Sequence, residues 1–190
     1  AGSFQQRPTY LESYALREQV KEDDEDSYFK KITKSYTGTL ELEHKEIEDL
    51  KKLESPVMVK YDFKMELGND DVLYINPLLG EAHKDNPFKS MERKFPVEMS
   101  SVSDELYSFN MEVPEGYVVD ELPKPAIANY NVNEGLFQYL IQQQGSHIQL
   151  RCRVKLAKAN FAPEDYTTLR EFFDLIVKKE SEQIVLKKKK

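Results

Sequence analysis

A thiol, a few imidazoles and a surplus of carboxylates are the reactive groups of this sequence, and their spacing decides what they can do. Cys152 and His147 are the sharpest pair, because a thiol beside an imidazole is the minimum for a cysteine nucleophile. Both lie in the alternating run from His147 to Leu156. There Ile148, Leu150, Cys152, Val154 and Leu156 share an apolar face, while His147, Gln149, Arg151, Arg153 and Lys155 share a polar one. On a strand the thiol and the imidazole therefore point to opposite faces. Cys152 is expected in the core as a small hydrophobe with a raised thiol pKa. Arg151, Arg153 and Lys155 are expected on a solvated face, paired with acids of a neighbouring strand.

The other constellations are looser. His44, His83 and His147 are scattered, and none forms an i, i+4 pair with a second ligand type on a segment that reads as a helix, which effectively excludes structural zinc. An EF-hand loop counted from Asp24 meets Tyr28 where an oxygen is required and has no glycine at its sixth position. With seven glycines there is neither a phosphate loop nor a dinucleotide fingerprint. Glu81, His83 and Asp85 gather in a proline-punctuated stretch where acid-base chemistry is conceivable, so a hydrolase using the loop from Asn76 to Pro96 stands as an alternative. No catalytic, cofactor-binding or metal-binding residue is assigned, and no cofactor is expected.

The elements that position these groups follow from periodicity. From Tyr10 to Tyr36, Tyr14, Val20, Tyr28, Phe29 and Ile32 recur at helical spacing, broken by the acid run Glu22 to Asp26. Thr39 to Glu43 reads as a short strand and Glu46 to Leu53 as a short helix ending before Pro56. From Val57 to Leu67 the period becomes two, and turn residues Gly68 to Asp71 then suggest a hairpin with the run Val72 to Ile75. Asn76 to Pro96 is irregular. Alternation resumes at Tyr107, Phe109, Met111 and Val113, and the segments Ala126–Val132, Leu136–Gln142 and His147–Leu156, joined by short glycine-containing links, predict an antiparallel meander. Pro163, Glu164 and Asp165 open a helix to about Ser181 whose stripe is Tyr166, Leu169, Phe173, Ile176 and Val177, and Ile184 to Leu186 is a final edge strand.

The whole composition is that of a folded chain: 39% hydrophobic and 32% charged among 190 residues. A formal charge of −7 opposes phosphate backbones and anionic lipid, so neither nucleic acid nor membrane insertion is expected, and the run Lys187 to Lys190 reads as a solvated end. No apolar stretch is long enough for a membrane span, and the first residues hold no signal core. Together these readings give a mostly β chain: an antiparallel β-sandwich with an N-terminal helical segment and a packed C-terminal helix. Residues 1–55 form the helix and short strand segment, and residues 56–190 the sandwich domain. Sandwiches often present aromatic platforms to sugars, so a carbohydrate- or peptide-binding module is a further alternative, weakened by the absence of Trp.

Several ordered motifs carry a resemblance. Leu73-Tyr74-Ile75-Asn76-Pro77-Leu78, Asn86-Pro87-Phe88 and Arg93-Lys94-Phe95-Pro96-Val97 come first. Val113-Pro114-Glu115-Gly116-Tyr117, Glu121-Leu122-Pro123 and the ending Tyr166 through Leu169-Arg170-Glu171-Phe172 to Ile184-Val185-Leu186-Lys187 follow. From about Ser55 onward the chain resembles the uncharacterised C-terminal domain, a domain of unknown function, of bacterial transglutaminase-like proteins. The resemblance implies a non-catalytic accessory domain, structural or interacting, whose partner is the upstream transglutaminase-like core of the same parent chain. It also implies an exported or periplasmic location. That family's catalytic Cys, His and Asp belong to the core domain, and no position here matches them.

Overall fold

The computed structural model describes residues 2–35, 40–66, 68 and 70–189. Tyr36, Thr39, Leu67, Asn69 and Lys190, which entered the readings above, lie outside them. Contacts divide the chain into two compact units, Ala1–Gly68 and Asn69–Lys190.

The first unit holds strand β1 (Gly2–Gln6), helices α1 (Tyr10–Asp23) and α2 (Glu25–Ser35), and strands β2 (Leu40–Glu48) and β3 (Met58–Met65). Thr9 and Glu12 form a reciprocal capping box that starts α1. The acid run ends it: Asp24 takes a φ of 90° between the two helices. Leu16 and Phe29 bury themselves with Ile47, Val57, Val59 and Tyr61. Tyr14 is exposed, and Leu16, two positions on, takes the inward place.

Two expectations fail in this unit. Glu46 to Leu53 is not a helix, because Leu40–Glu48 is one strand against β3 with a register shift between Glu43 and Glu46. The turn after it is held from outside. Arg17 of α1 donates to the carbonyls of Asp49, Leu50, Lys52 and Ser55 at 2.7–3.0 Å, satisfying groups that a helix of that length would have had to satisfy alone. Nor does β3 form a hairpin with the run after Gly68. It is the middle strand of the order β1-β3-β2, so the boundary between units falls after Gly68, whereas the sequence reading placed it after residue 55. Alternation reports which face of a strand is buried; it does not name the strand alongside.

The second unit runs β4 (Val72–Ile75), β5 (Val97–Glu98), β6 (Ser103–Glu112), β7 (Tyr117–Glu121), β8 (Ala126–Tyr130), β9 (Gly135–Gln144), β10 (His147–Leu156) and β11 (Asn160–Phe161). A 3-10 turn at Pro163–Asp165, helix α3 (Tyr166–Glu180) and β12 (Ile184–Lys188) complete it. β8, β9 and β10 form the antiparallel meander the turn residues implied, with β6 added beside β10. Gly145, the first of two residues between β9 and β10, has a φ of 59°, the backbone for which a two-residue hairpin takes glycine. Gly135 serves a different need, since a Cβ there would stand 2.9 Å from that of Tyr130.

β12 corrects the reading of an edge strand. It is the centre of a three-stranded sheet, between β4 and β7, and Lys187 and Lys188 belong to it and not to a loose end. Its neighbour β7 escaped notice because its residues, with Val118 exposed, give little apolar alternation. The chain is thus mostly β, with antiparallel open sheets among the described residues, N-terminal helices and a packed C-terminal helix, the fold class expected.

Candidate functional site: a buried thiol, carboxylate and imidazole

Helix α3 exists as a stable element because it is amphipathic and has somewhere to put its apolar face. Tyr166, Leu169, Phe172, Phe173 and Ile176 are buried, and Val177, assigned to the stripe from sequence, is only half-buried. The face is wider than the sequence stripe since α3 is covered on two flanks. Phe172 meets Tyr130 of β8 with ring centres 5.8 Å apart. On the other flank the irregular segment from Asn76 to Pro96 lies along the helix as a strap. Phe88 packs edge-on against Phe173 at 5.1 Å, Asn86 donates to the Arg170 carbonyl and to Asp174, and the Tyr166 hydroxyl donates to the Ser90 carbonyl at 2.9 Å.

At the end of that face the helix buries a carboxylate. Glu180 is 3% exposed, a degree of burial that charged side chains tolerate only with partners. Its Oε2 accepts the His83 backbone N–H at 2.7 Å and lies 2.9 Å from His83 Nδ1. Its Oε1 accepts the Cys152 thiol at 3.6 Å. Asn76 completes the cluster by donating its amide to the Glu180 backbone carbonyl at 2.8 Å. Strand β10, helix α3 and the strap therefore meet at one carboxylate.

The electrostatics follow from this arrangement. The hydrogen bond to Glu180 raises the His83 pKa above its ordinary 6.5, outweighing the opposite pull of burial. Burial, and then the Glu180 charge, push the Cys152 thiol far up. Burial does the same to the Tyr139 phenol, whose hydroxyl has no hydrogen-bond partner among the described residues. A thiol attacks as its thiolate, and here the thiol is held protonated as a donor. The order in space is thiol, carboxylate, imidazole. Activation by a Cys–His pair requires the imidazole next to the sulfur.

The residues singled out from sequence are distributed as follows. Cys152 is buried on the inner face of β10, as its alternation required. His147 is exposed and adjoins the Ser146 hydroxyl at 3.3 Å. Within the strap His83 turns to Glu180, while Asp85 pairs with Lys89 at 3.4 Å in solvent. His44 pairs with Asp62 on the first unit's surface. Among the described residues no group of three His, Cys, Asp or Glu side chains is arranged to hold a metal ion. Sequence reading missed Glu180, which sits between Lys179 and Ser181 in a stretch resembling a solvated helix end. A signal was present: Glu180 stands four residues after Ile176 and seven after Phe173, so it continues the buried stripe.

The outer face of the four-stranded sheet mixes polar side chains with exposed Leu106, Ile127 and Leu140. Arg153 makes two 2.7 Å hydrogen bonds to Asp104 on β6 and holds that carboxyl below its usual range, and Lys155 approaches the same carboxylate at 3.9 Å. Arg151 departs from the expected pairing, because its cross-strand neighbours are Ser108 and Leu140. An open depression of about 580 Å³ lies there, with Ser108, Asn110, Leu140, Gln142, Gln149 and Arg151 among its walls.

Comparisons with known proteins bear on the second unit. A family model described as a domain of unknown function with a solved structure (DUF3858) matches residues 71–186. A crystal structure of a "putative protease" from Parabacteroides distasonis superposes over 64% of this chain and 24% of that one, with a TM-score of 0.51 at 14% identity. The chain thus spans about a quarter of that protein, and the likeness is one of fold. Among curated proteins no match is found. No helix among the described residues is long and apolar enough to cross a membrane.

Proposed function

The chain belongs to the DUF3858 family of domains of unknown function, and from that premise we propose that it is a non-catalytic accessory module of a larger protein. The observation that carries this reading is the spatial order of the buried cluster. Glu180 stands between Cys152 and His83, so the only thiol, held protonated by burial and then by this carboxylate, is separated from the nearest imidazole. The cluster fastens the strap and α3 to the sheet, which is a structural task. The ordered motifs around Asn76-Pro77, Asn86-Pro87-Phe88 and Pro114-Glu115-Gly116 support a transglutaminase-like catalytic domain upstream in an exported parent, and that domain would be the module's first partner. The likeness to a quarter of the Parabacteroides distasonis chain is consistent with one module among several.

Direct assay tests the proposal. The chain, given glutamine-containing peptides with an amine donor and, separately, unmodified peptide substrates, should show no turnover above that of its Cys152→Ala variant. Turnover that disappears in Cys152→Ala or in His83→Ala would overturn the non-catalytic reading.

A further inference from the structure

We infer that the outer face of the sheet β6-β10-β9-β8 is a binding site for an acidic oligosaccharide, with Arg151 receiving the carboxylate of a uronic acid residue. The inference rests on the accessory reading above and gives that module a ligand. It begins with charge. In a chain of net −7, Arg153 and Lys155 on this face are committed to Asp104. The Arg151 side chain makes no hydrogen bond or ion pair with a described residue, and the residues opposite it on both neighbouring strands are uncharged. An arginine fork left open in a concavity suits a carboxylate, which it can hold by two parallel hydrogen bonds.

The walls specify the rest of the ligand. Asn110, Gln149 and Gln142 stand side by side across three strands, and Ser108 adjoins Arg151. Amides and hydroxyls both donate and accept, which suits a ligand dense in hydroxyl groups. Exposed Leu140 and Pro125 supply a small apolar surface for the C–H side of a sugar ring. The depression, at about 580 Å³, lies within the roughly 300–1,000 Å³ of small-ligand sites. An extended peptide would instead seek unpaired backbone groups, and β9 and β10 have none to give, because each is flanked by strands on both sides. Only side chains can read a ligand here.

Titration of the whole chain with trigalacturonate, followed by backbone amide shifts and calorimetry, tests the site. The expected result is saturable binding that moves the amides of residues 108–110, 140–142 and 149–151. Arg151→Gln should weaken it by about tenfold or more while the thermal midpoint stays unchanged, since Arg151 is exposed and unpaired. Gln149→Ala should weaken it by a smaller factor. Absence of binding would overturn the site, as would binding unaffected by Arg151→Gln. A neutral trisaccharide or a short poly-glutamate peptide binding as well as trigalacturonate would also overturn it, the first by removing the need for the carboxylate and the second by reducing the site to a patch of positive charge. Product analysis of the same samples separates this result from the reading it rests on: cleaved saccharide would refute the accessory role while leaving the site in place.

Discussion

At the scale of single residues the most demanding group is Glu180, whose carboxylate is removed from water and answered by an imidazole, a backbone N–H and a thiol. A raised His83 pKa is also a statement about stability. The folded state binds the proton more tightly than the unfolded chain, so the stabilisation is complete below the unfolded value near 6.5 and is lost as pH rises through the higher folded value. Urea midpoints measured from pH 6 upward should therefore fall across that window and then level off, and in His83→Gln the slope should vanish. A midpoint of the His83 ring at or below 6.5 in nitrogen-detected NMR would refute the pair. Removing one partner should cost more than removing both charges: His83→Ala leaves a buried carboxylate unmatched, at about 3–5 kcal/mol, and adding Glu180→Gln to it should recover part of that loss. None of this pairing is visible in the sequence, because His83 and Glu180 lie far apart in the chain. What was legible is the half that depends on local pattern, namely the burial of Cys152 and the outward turn of His147.

Elements were legible wherever a segment's own residues decided its fate. α3 is led in by the 3-10 turn Pro163–Asp165, with its proline and two acids, and carries a long apolar stripe, and it forms where expected. Its stability depends on the sheet beneath and the strap above. Phe173→Ala should thus cost about 3–5 kcal/mol in denaturant unfolding, and exposed Lys178→Ala less than about 0.5 kcal/mol. A silent Phe173→Ala would mean that the rings of Phe88 and Phe172 do not pack on it as described. Where the decision lay elsewhere, local reading failed. The segment from Glu46 to Leu53 carries a helical spacing, but the carbonyls of its second half are claimed by Arg17, more than 30 positions earlier. The strap shows the same thing from the opposite side. Prolines and short polar residues marked it as irregular, and irregular it is, yet Asn76, Asn86 and Phe88 tie it to α3 by contacts no local rule anticipates.

For the molecule as a whole, the order of strands was the least legible property. Each hairpin of the meander follows from its turn, whereas β12 lies between strands more than 60 and more than 100 residues away in sequence. Lys187→Pro, at an exposed position beyond the register shift between Val185 and Leu186 and paired on both sides, should test the central place of β12. It should destabilise the second unit by about 3 kcal/mol or more, through lost ladder bonds, as a central strand does not tolerate proline. Amide exchange in β4 and β7 should then accelerate together, while β1, β2 and β3, whose sheet is separate, keep their protection. Unchanged exchange in β4 would contradict the strand order. The same feature sets a schedule for biosynthesis. As the polypeptide leaves the ribosome, β4 and β7 emerge with their inner edges open and cannot be joined until Ile184–Lys188 has followed them out. At about 5–20 residues per second, synthesis from the end of β7 at Glu121 to the end of β12 at Lys188 takes roughly 3–13 s. A nascent chain of this protein is therefore exposed to mispairing for seconds before β12 arrives, and a holding chaperone would act on those two waiting edges.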